Sequence, residues 1–332
     1  MGAFILRRLV IMVPLLVLIS VISFVVIQLP PGDYLTTYIS ALRSSGVEVT
    51  EGEIKALTVQ FGLDRPFHEQ YFRWISSILL RGNLGWSFLW QKPVNEVLGE
   101  RLPITIALSL SSLVIVWLTA IPIAIVSATR QYSFVDYFFS FLGFVGLATP
   151  AFLLALVMMW GVYAVTGMAI TSLFSPQFAD APWSLAKLGN LLSNAWLPVL
   201  IVAASGTAGL IRVLRATLLD ELRKQYVVTA RAKGVSETRL LFKYPIRIAM
   251  NPIFSTIGWL LPSLISGQVI VGIVLNLQTV GPILLKATLA QDMFLAGSIV
   301  LILSVLTVIG TFVSDMLLAW LDPRIRYGAA EA

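Results

Sequence analysis

Few side chains in this 332-residue sequence are suited to chemistry. The sequence contains no cysteine and a single histidine, His68, which excludes disulfides, thiolate zinc sites, cysteine-ligated iron–sulfur clusters and bis-histidine haem. It also contains no Gly-x-x-x-x-Gly-Lys-Ser/Thr phosphate loop and no Gly-x-Gly-Asp protease motif. We therefore expect no catalytic residue, no metal site and no cofactor in this chain.

Uncharged polar side chains remain, and they lie within long apolar stretches where they could line a path for a polar solute. The candidates are Ser263, Ser266, Gln268 and Asn276, together with Ser109, Ser112 and Thr119. Small residues four apart, such as Ser263 and Gly267, also favour close helix packing in lipid, so a packing role stays open. Gln268 is the strongest pathway candidate because an unsatisfied amide is costly in hydrocarbon.

Asp315 is the only acidic residue well inside an apolar stretch. Ion-coupled carriers commonly bury ionisable residues near the bilayer centre. Asp315 lies near the basic end at Arg324 and Arg326, which favours a structural partner over a proton carrier.

The composition indicates that a bilayer surrounds these residues. Hydrophobic residues make up 58% of the sequence and charged residues only 12%, against roughly 25% charged in a soluble domain. Six largely uncharged stretches approach or exceed the roughly 20 residues that a membrane helix needs. They are Leu9 to Gln28, Leu102 to Thr129, Tyr137 to Thr166, Leu188 to Ile211, Ile248 to Gln278 and Met293 to Leu321. We expect an all-α membrane protein with six transmembrane helices, kinked at Pro150 and Pro262 by the missing backbone donors.

The charged residues predict the orientation of these helices. With both termini in the cytoplasm, the inner side carries fourteen basic and seven acidic residues, and the outer side nine and ten. This distribution follows the positive-inside rule, so the net charge of +6 reflects contact with a lipid bilayer and not nucleic-acid binding. The first stretch follows Arg7-Arg8 and lacks a small-residue cleavage site, which indicates a permanent anchor.

The outer segment between the first two stretches, Pro30 to Arg101, is too long for a simple loop and is predicted to be helical. Thr50-Glu51-Gly52-Glu53 fits a capping box, with Gly62 as the stop. A second helix is predicted from Pro66 to Gly82. Its apolar stripe consists of Phe67, Tyr71, Trp74, Ile75, Ile78 and Leu79. This stripe either packs on other outer elements and the interface or contacts an external partner.

The inner segment, Arg212 to Arg247, carries nine of the twenty-three basic residues. We expect a helix up to Lys233, a stop at Gly234 in a left-handed conformation, and a new helix capped by Ser236. Tyr226, Val227, Ala230 and Lys233 lie near one face of the first helix. The segment is either a docking element or a basic loop held against anionic headgroups.

Residues Tyr226 to Arg247 resemble the cytoplasmic coupling loop of permease subunits in bacterial ABC importers. Fragments along the whole chain, in the right order, are similar to the dipeptide, oligopeptide and nickel branch of that family. They are Arg7-Arg8, Pro30-Pro31-Gly32-Asp33, Phe61 to Pro66, Gln70-Tyr71, Asn83 to Ser87, Glu100 to Thr105 and Asp322 to Arg326.

The resemblance implies a type I ABC importer permease fold. Residues 1–101 would form an anchor helix and an extracytoplasmic helical segment, and residues 102–332 a five-helix core with the coupling loop at 212–247. The implied partners are a second similar permease, two cytoplasmic ATPase subunits that use ATP and Mg, and an external substrate-binding protein. The implied ATPase-coupling residues are Tyr226, Thr229, Ala230, Arg231, Ala232, Lys233 and Gly234, with Arg231 and Lys233 pairing to acidic groups on the ATPase.

The sequence departs from the family pattern in two places. Val228 occupies a position that is commonly acidic, and Leu277-Gln278-Thr279-Val280-Gly281-Pro282 replaces the Pro-Gly-Leu/Ile-Gly turn usual in peptide permeases. Import of di- or oligopeptides is the first hypothesis, and import of oligosaccharides or another small solute is the alternative. The other classes are an ion-coupled carrier and an intramembrane enzyme or respiratory subunit. The last class is disfavoured because the sequence has no cysteine, no Gly-x-Gly-Asp protease motif and no histidine within an apolar stretch.

Overall fold

The computed structural model describes residues 2–28, 39, 50–61, 64–167, 172–179 and 181–321, and these are mostly helical. The helices of the first half are α1 (Gly2–Gln28), α2 (Glu51–Phe61), α3 (Phe67–Arg81), α4 (Val94–Thr129), α5 (Phe134–Ala148) and α6 (Ala151–Thr166). Those of the second half are α7 (Leu185–Leu222), α8 (Gln225–Ala232), α9 (Glu237–Lys243), α10 (Pro245–Ala249), α11 (Asn251–Val274), α12 (Val280–Leu289) and α13 (Met293–Leu321). A short antiparallel hairpin joins α3 to α4 and consists of β1 (Trp86–Ser87) and β2 (Lys92–Pro93).

Four of these helices are long and apolar enough to cross a membrane. They cover Ile5–Val25, Val94–Thr129, Leu185–Leu222 and Met293–Trp320. The pair α5 and α6 would add a fifth span if it counts as one broken crossing. Helix α11 occupies the fifth predicted stretch with 24 residues.

The third predicted span is not one continuous helix. Helices α5 and α6 are bent by 110° at Thr149 and Pro150. The residue before a proline is driven out of the helical region by the proline ring, and Thr149 is extended, with φ −87° and ψ 120°. The predicted kink at Pro150 is therefore a full break.

The described residues form two compact units, and α1, α4 and α13 contribute to both. The first is built from residues 2–5, 106–278 and 309–321 and the second from residues 6–105 and 279–308, within the described ranges. In the first unit, helices α5, α6, α10 and α11 contact α7. Asp136 at the start of α5 accepts two hydrogen bonds of 2.7 Å from the Arg215 guanidinium of α7, which fastens these two helices together.

In the second unit, the aromatic stripe of α3 packs on α1. The ring of Phe24 lies 5.1 Å from Phe67, 5.5 Å from Tyr71 and 5.6 Å from Trp74, and the Tyr71 hydroxyl is 2.8 Å from the Ser20 hydroxyl. The stripe therefore packs on the first helix, a contact that neither predicted alternative named. Leu79 stays outside this contact and is 76% exposed. The predicted stop at Gly82 is confirmed, with φ 61°.

The hairpin is fastened to the start of α13 by Asp292, which is fully buried. Its carboxylate accepts hydrogen bonds from the Ser87 hydroxyl at 2.6 Å and from the backbone N–H groups of Leu89 and Leu295. Burial raises the pKa of this carboxyl, and these hydrogen bonds act in the opposite direction. Nearby, Gly85 has φ 104°, and a Cβ there would lie 2.9 Å from the Phe294 ring. Both the backbone conformation and the close packing of Phe294 therefore favour glycine at this position of the Asn83 to Ser87 fragment.

Replacing Asp292 with alanine tests this junction. Asp292→Ala leaves three donors without their acceptor, so we expect a loss of about 3 kcal/mol or more in the free energy of unfolding. The midpoint of thermal unfolding of the purified protein measures the change. Glu96→Ala is the control, because the Lys92–Glu96 pair is exposed and surface ion pairs contribute little to stability. Equal midpoints for the two variants would contradict the role of Asp292.

Candidate functional site in the segment between α7 and α11

Helix α7 extends well past the end of the fourth predicted span at Ile211 and runs to Leu222. Ile211, Leu214 and Leu218 recur at helical spacing, and all three are buried in one cluster with Ala249 and Ile253. The apolar stripe of the helix therefore continues beyond Arg212. Residues Leu218 to Leu222 therefore belong to α7, and α8 (Gln225–Ala232) is the helix that was predicted up to Lys233.

The predicted stop at Gly234 is confirmed in detail. Gly234 has φ 77°, its N–H donates to the carbonyl of Arg231, and the N–H of Val235 donates to the carbonyl of Ala230. These two bonds form a Schellman motif, which uses a left-handed residue to satisfy the free carbonyls at a helix end. Val235 also packs against the apolar cluster of Val227, Ala230 and Leu240, and an apolar contact of this residue commonly accompanies the motif.

A small core holds α8 against α9 and α10. Val227 and Leu240 are fully buried and Ala230 nearly so, and Tyr226, Val235 and Tyr244 surround them. The Tyr226 hydroxyl donates a 2.6 Å hydrogen bond to Glu221 near the end of α7. Burial, followed by this bond to a carboxylate, raises the pKa of Tyr226. The segment is thus a packed unit tied back to α7.

This packing determines which side of α8 is exposed. The face with Val227 and Ala230 points inward, so Ala230 serves the internal packing of the segment. Ser236 begins α9 as predicted, but its side chain makes no capping hydrogen bond. The coupling residues that are exposed are Thr229, Arg231, Ala232, Lys233 and Gly234, with Val228 beside them.

The two basic residues predicted to pair with the ATPase, Arg231 and Lys233, differ in their surroundings. Arg231 forms a bidentate pair with Glu237 in the next helix, with 2.9 Å between Nη2 and Oε2. The pair raises the pKa of Arg231 and lowers that of Glu237. Arg231 is thus already neutralised within the segment, whereas Lys233 has no such partner among the described residues.

The four main pathway candidates lie in α11 or directly after it. Ser263, Ser266 and Gln268 lie in α11, but their side chains fall outside the described residues. Asn276 is exposed and has φ 47°. The backbone N–H of Leu277 donates to the carbonyl of Gly272, and that of Asn276 donates to the carbonyl of Ile273. Asn276 therefore ends α11 with the same motif by which Gly234 ends α8.

Thr119 is the sequence candidate that faces a cavity. A cavity of about 410 Å³ lies among α4, α5, α6 and α7, and the hydroxyls of Thr119 and Thr207 approach to 3.3 Å at its wall. Ser112, in contrast, is buried and donates to the carbonyls of Leu108 and Val199, as in helix packing. Thr207 was missed because a single threonine in an apolar stretch carries no spacing signal.

Truncating the centre of the segment core should loosen α8. Leu240→Ala removes a fully buried side chain, which costs about 2–5 kcal/mol, so we expect faster hydrogen exchange at the backbone amides of residues 225–243. Phe242→Ala is the control, because Phe242 is 62% exposed. Unchanged exchange in the Leu240 variant would contradict the packing of this segment.

Comparison with known proteins assigns the chain to a family. Residues 120–327 match the family described as binding-protein-dependent transport system inner membrane component, and residues 1–109 match the N-terminal region of such a membrane component. The oligopeptide transport system permease protein AppB of Bacillus subtilis is 31% identical over 98% of this chain and 100% of its own.

Two further relatives have similar extents. A putative peptide permease protein of Brucella suis is 32% identical over 97% of this chain and 98% of its own. The inner membrane ABC transporter permease protein YejB of Escherichia coli O157:H7 is 29% identical over 98% and 99%. With matches over nearly all its length, the chain belongs to the family of inner membrane permease components of binding-protein-dependent transport systems.

Proposed function

We propose that this chain is the translocation subunit of an ATP-driven importer of di- and oligopeptides. Relatives aligned over almost the whole chain are named as permeases for peptides or oligopeptides, which favours peptides over the oligosaccharide alternative. The observation that carries the proposal is the coupling segment. It is a short, firmly ended helix with an exposed face, held by its own core and tied to a long membrane helix.

The proposed topology has six spans with both termini in the cytoplasm. Helices α5 and α6 then form one broken span, and α11, which is about 36 Å long at 1.5 Å per residue, crosses the roughly 30 Å hydrocarbon core. The end of α7 and the segment between α7 and α11 lie on the inner side, where the nine basic residues of Arg212 to Arg247 satisfy the positive-inside rule.

The proposed partners are a second similar permease, two cytoplasmic ATPase subunits and an external substrate-binding protein. The ATPase subunits would bind and hydrolyse ATP with Mg, and this chain would take no part in that chemistry. Val228, Thr229 and Ala232 offer a small and uncharged contact surface to the ATPase, and Lys233 offers a cation at its edge. One exposed ion pair of that kind contributes only about 1 kcal/mol or less, so shape dominates the contact.

Coupling would proceed through packed contacts. A movement of α8 is passed by Val227, Ala230 and Leu240 to α9, and then through α10, which contacts both α7 and α11. Glu221 and Tyr226 supply a second link between α8 and α7. Closure of the ATPases below would thereby shift two membrane helices together.

The helix stop can be tested at Gly234. A valine strains the backbone at φ 77° because β-branched residues avoid positive φ, whereas asparagine tolerates it. We expect the complex with Gly234→Val to assemble and to hydrolyse ATP, but its uptake to fall at least about tenfold. The complex with Gly234→Asn should keep most of its uptake. Uptake and ATP hydrolysis are measured on the reconstituted complex. Normal uptake in the valine variant would refute the role of the stop.

The docking face can be tested with single cysteines, since the chain has none of its own. Ala232 is exposed and Ala230 is 8% exposed, two residues away. We expect Ala232→Cys to cross-link to a cysteine on the ATPase surface and Ala230→Cys to fail under the same conditions. Cross-linking at position 230 but not at 232 would place the contact on the opposite face and contradict the proposed docking surface.

A further inference from the structure

An apolar groove runs between α5 and α7. The helices are antiparallel, since Asp136 pairs with Arg215 at one end and a Cβ on Gly146 would lie 3.4 Å from Ala208 at the other. Between these contacts the helices enclose about 150 Å³. The walls include Phe139, Gly143, Phe144, Leu147, Ala208 and Ile211. Phe144 and Leu147 are 61% and 48% exposed, so the groove opens to the surroundings of the helix bundle.

The two cations of the groove differ in their partners. Arg215 is neutralised by the bidentate bond to Asp136. Arg212 also lines the groove and is exposed, and among the described residues it has no ion-pair or hydrogen-bond partner for its guanidinium. Arg212 directly follows the uncharged stretch Leu188 to Ile211. An unneutralised guanidinium therefore stands where an apolar groove reaches the membrane surface.

We propose that this groove is a binding site for one anionic phospholipid of the inner leaflet. The lipid phosphate pairs with Arg212, and an acyl chain lies along Gly143, Phe144 and Leu147. Guanidinium groups bind phosphate through paired charge-assisted hydrogen bonds, and basic pockets between membrane helices are known to hold anionic headgroups. The placement in the inner leaflet rests on the orientation given under the proposed function.

A lipid fits this groove better than a protein side chain for two reasons. Apart from Ser140, the groove is apolar along its length, and its charged groups lie at one end, which matches the order of an acyl chain and a headgroup. A second protein chain would have to bring an acidic residue to Arg212 while leaving no other polar group in the groove. The bound lipid would also cover rings that are otherwise exposed at the α5 surface.

The headgroup contact is tested by native mass spectrometry of the delipidated complex after addition of phosphatidylglycerol or phosphatidylcholine. We expect one tightly bound phosphatidylglycerol per chain, with at least about tenfold weaker binding of phosphatidylcholine. Arg212→Gln should reduce phosphatidylglycerol binding by a similar factor. Arg223→Gln, at an exposed position outside the groove, should not. Equal binding of both lipids, or no effect of Arg212→Gln, would overturn the proposal.

The acyl-chain contact is tested by filling the groove. A Cβ on Gly143 meets no atom within 4 Å, and the same is true of Gly161 in α6, so both positions accept a larger side chain. Gly143→Leu should lower phosphatidylglycerol binding, and Gly161→Leu should leave it unchanged. If Gly143→Leu instead weakens association with the second permease while lipid binding persists, the groove is a subunit contact. These lipid measurements do not depend on transport, so they can fail while the proposed function holds.

Discussion

A carboxylate that leaves water must be hydrogen-bonded or paired, and this constraint organises the described part of the chain. Its two buried acids, Asp136 and Asp292, each fasten two elements that are distant in sequence. Asp136 holds α5 to α7 through Arg215, and Asp292 holds the β1–β2 hairpin to the start of α13. A buried ion pair such as Asp136–Arg215 stabilises the fold little by itself, but removing one partner leaves a buried charge without compensation.

The same constraint bears on the proposed coupling segment. Most charged side chains lie near helix ends or in connections, and the densest group lies in Arg212 to Arg247. There the exposed charges surround a small apolar core, and the left-handed stop at Gly234 gives α8 a defined length. A rigid helix tied to α7 by Tyr226 and Glu221 can pass a displacement to the membrane helices without bending.

Local signals in the sequence were sufficient for many of these elements. Gly82 and Gly234 end helices because only residues that accept positive φ fit there, and both stops were predictable from glycine at the end of an apolar pattern. The positions of the apolar stretches were predictable from hydropathy, but the start of α4 at Val94 and the end of α7 at Leu222 were not. The 110° break at Pro150 was not predictable either, because many membrane helices retain a proline with a modest kink.

Contacts between distant residues could not be predicted in this way. Nothing near Asp136 in the sequence indicates Arg215, and nothing near Ser87 indicates Asp292. For the same reason, the inward side of α8 could not be identified from its own residues. Val227 and Ala230 form an apolar face, and only the position of Leu240 shows that this face is covered from within the chain.

In the proposed mechanism, ATP hydrolysis by partner subunits drives transport through this chain. The most direct test is uptake of a labelled short peptide into vesicles. One set contains this chain alone under a proton gradient, and the other contains both permeases and both ATPases, with ATP on the ATPase side and the binding protein on the opposite side. We expect uptake only in the complete, ATP-supplied vesicles. Uptake by the lone chain without ATP would contradict the claim and identify an ion-coupled carrier.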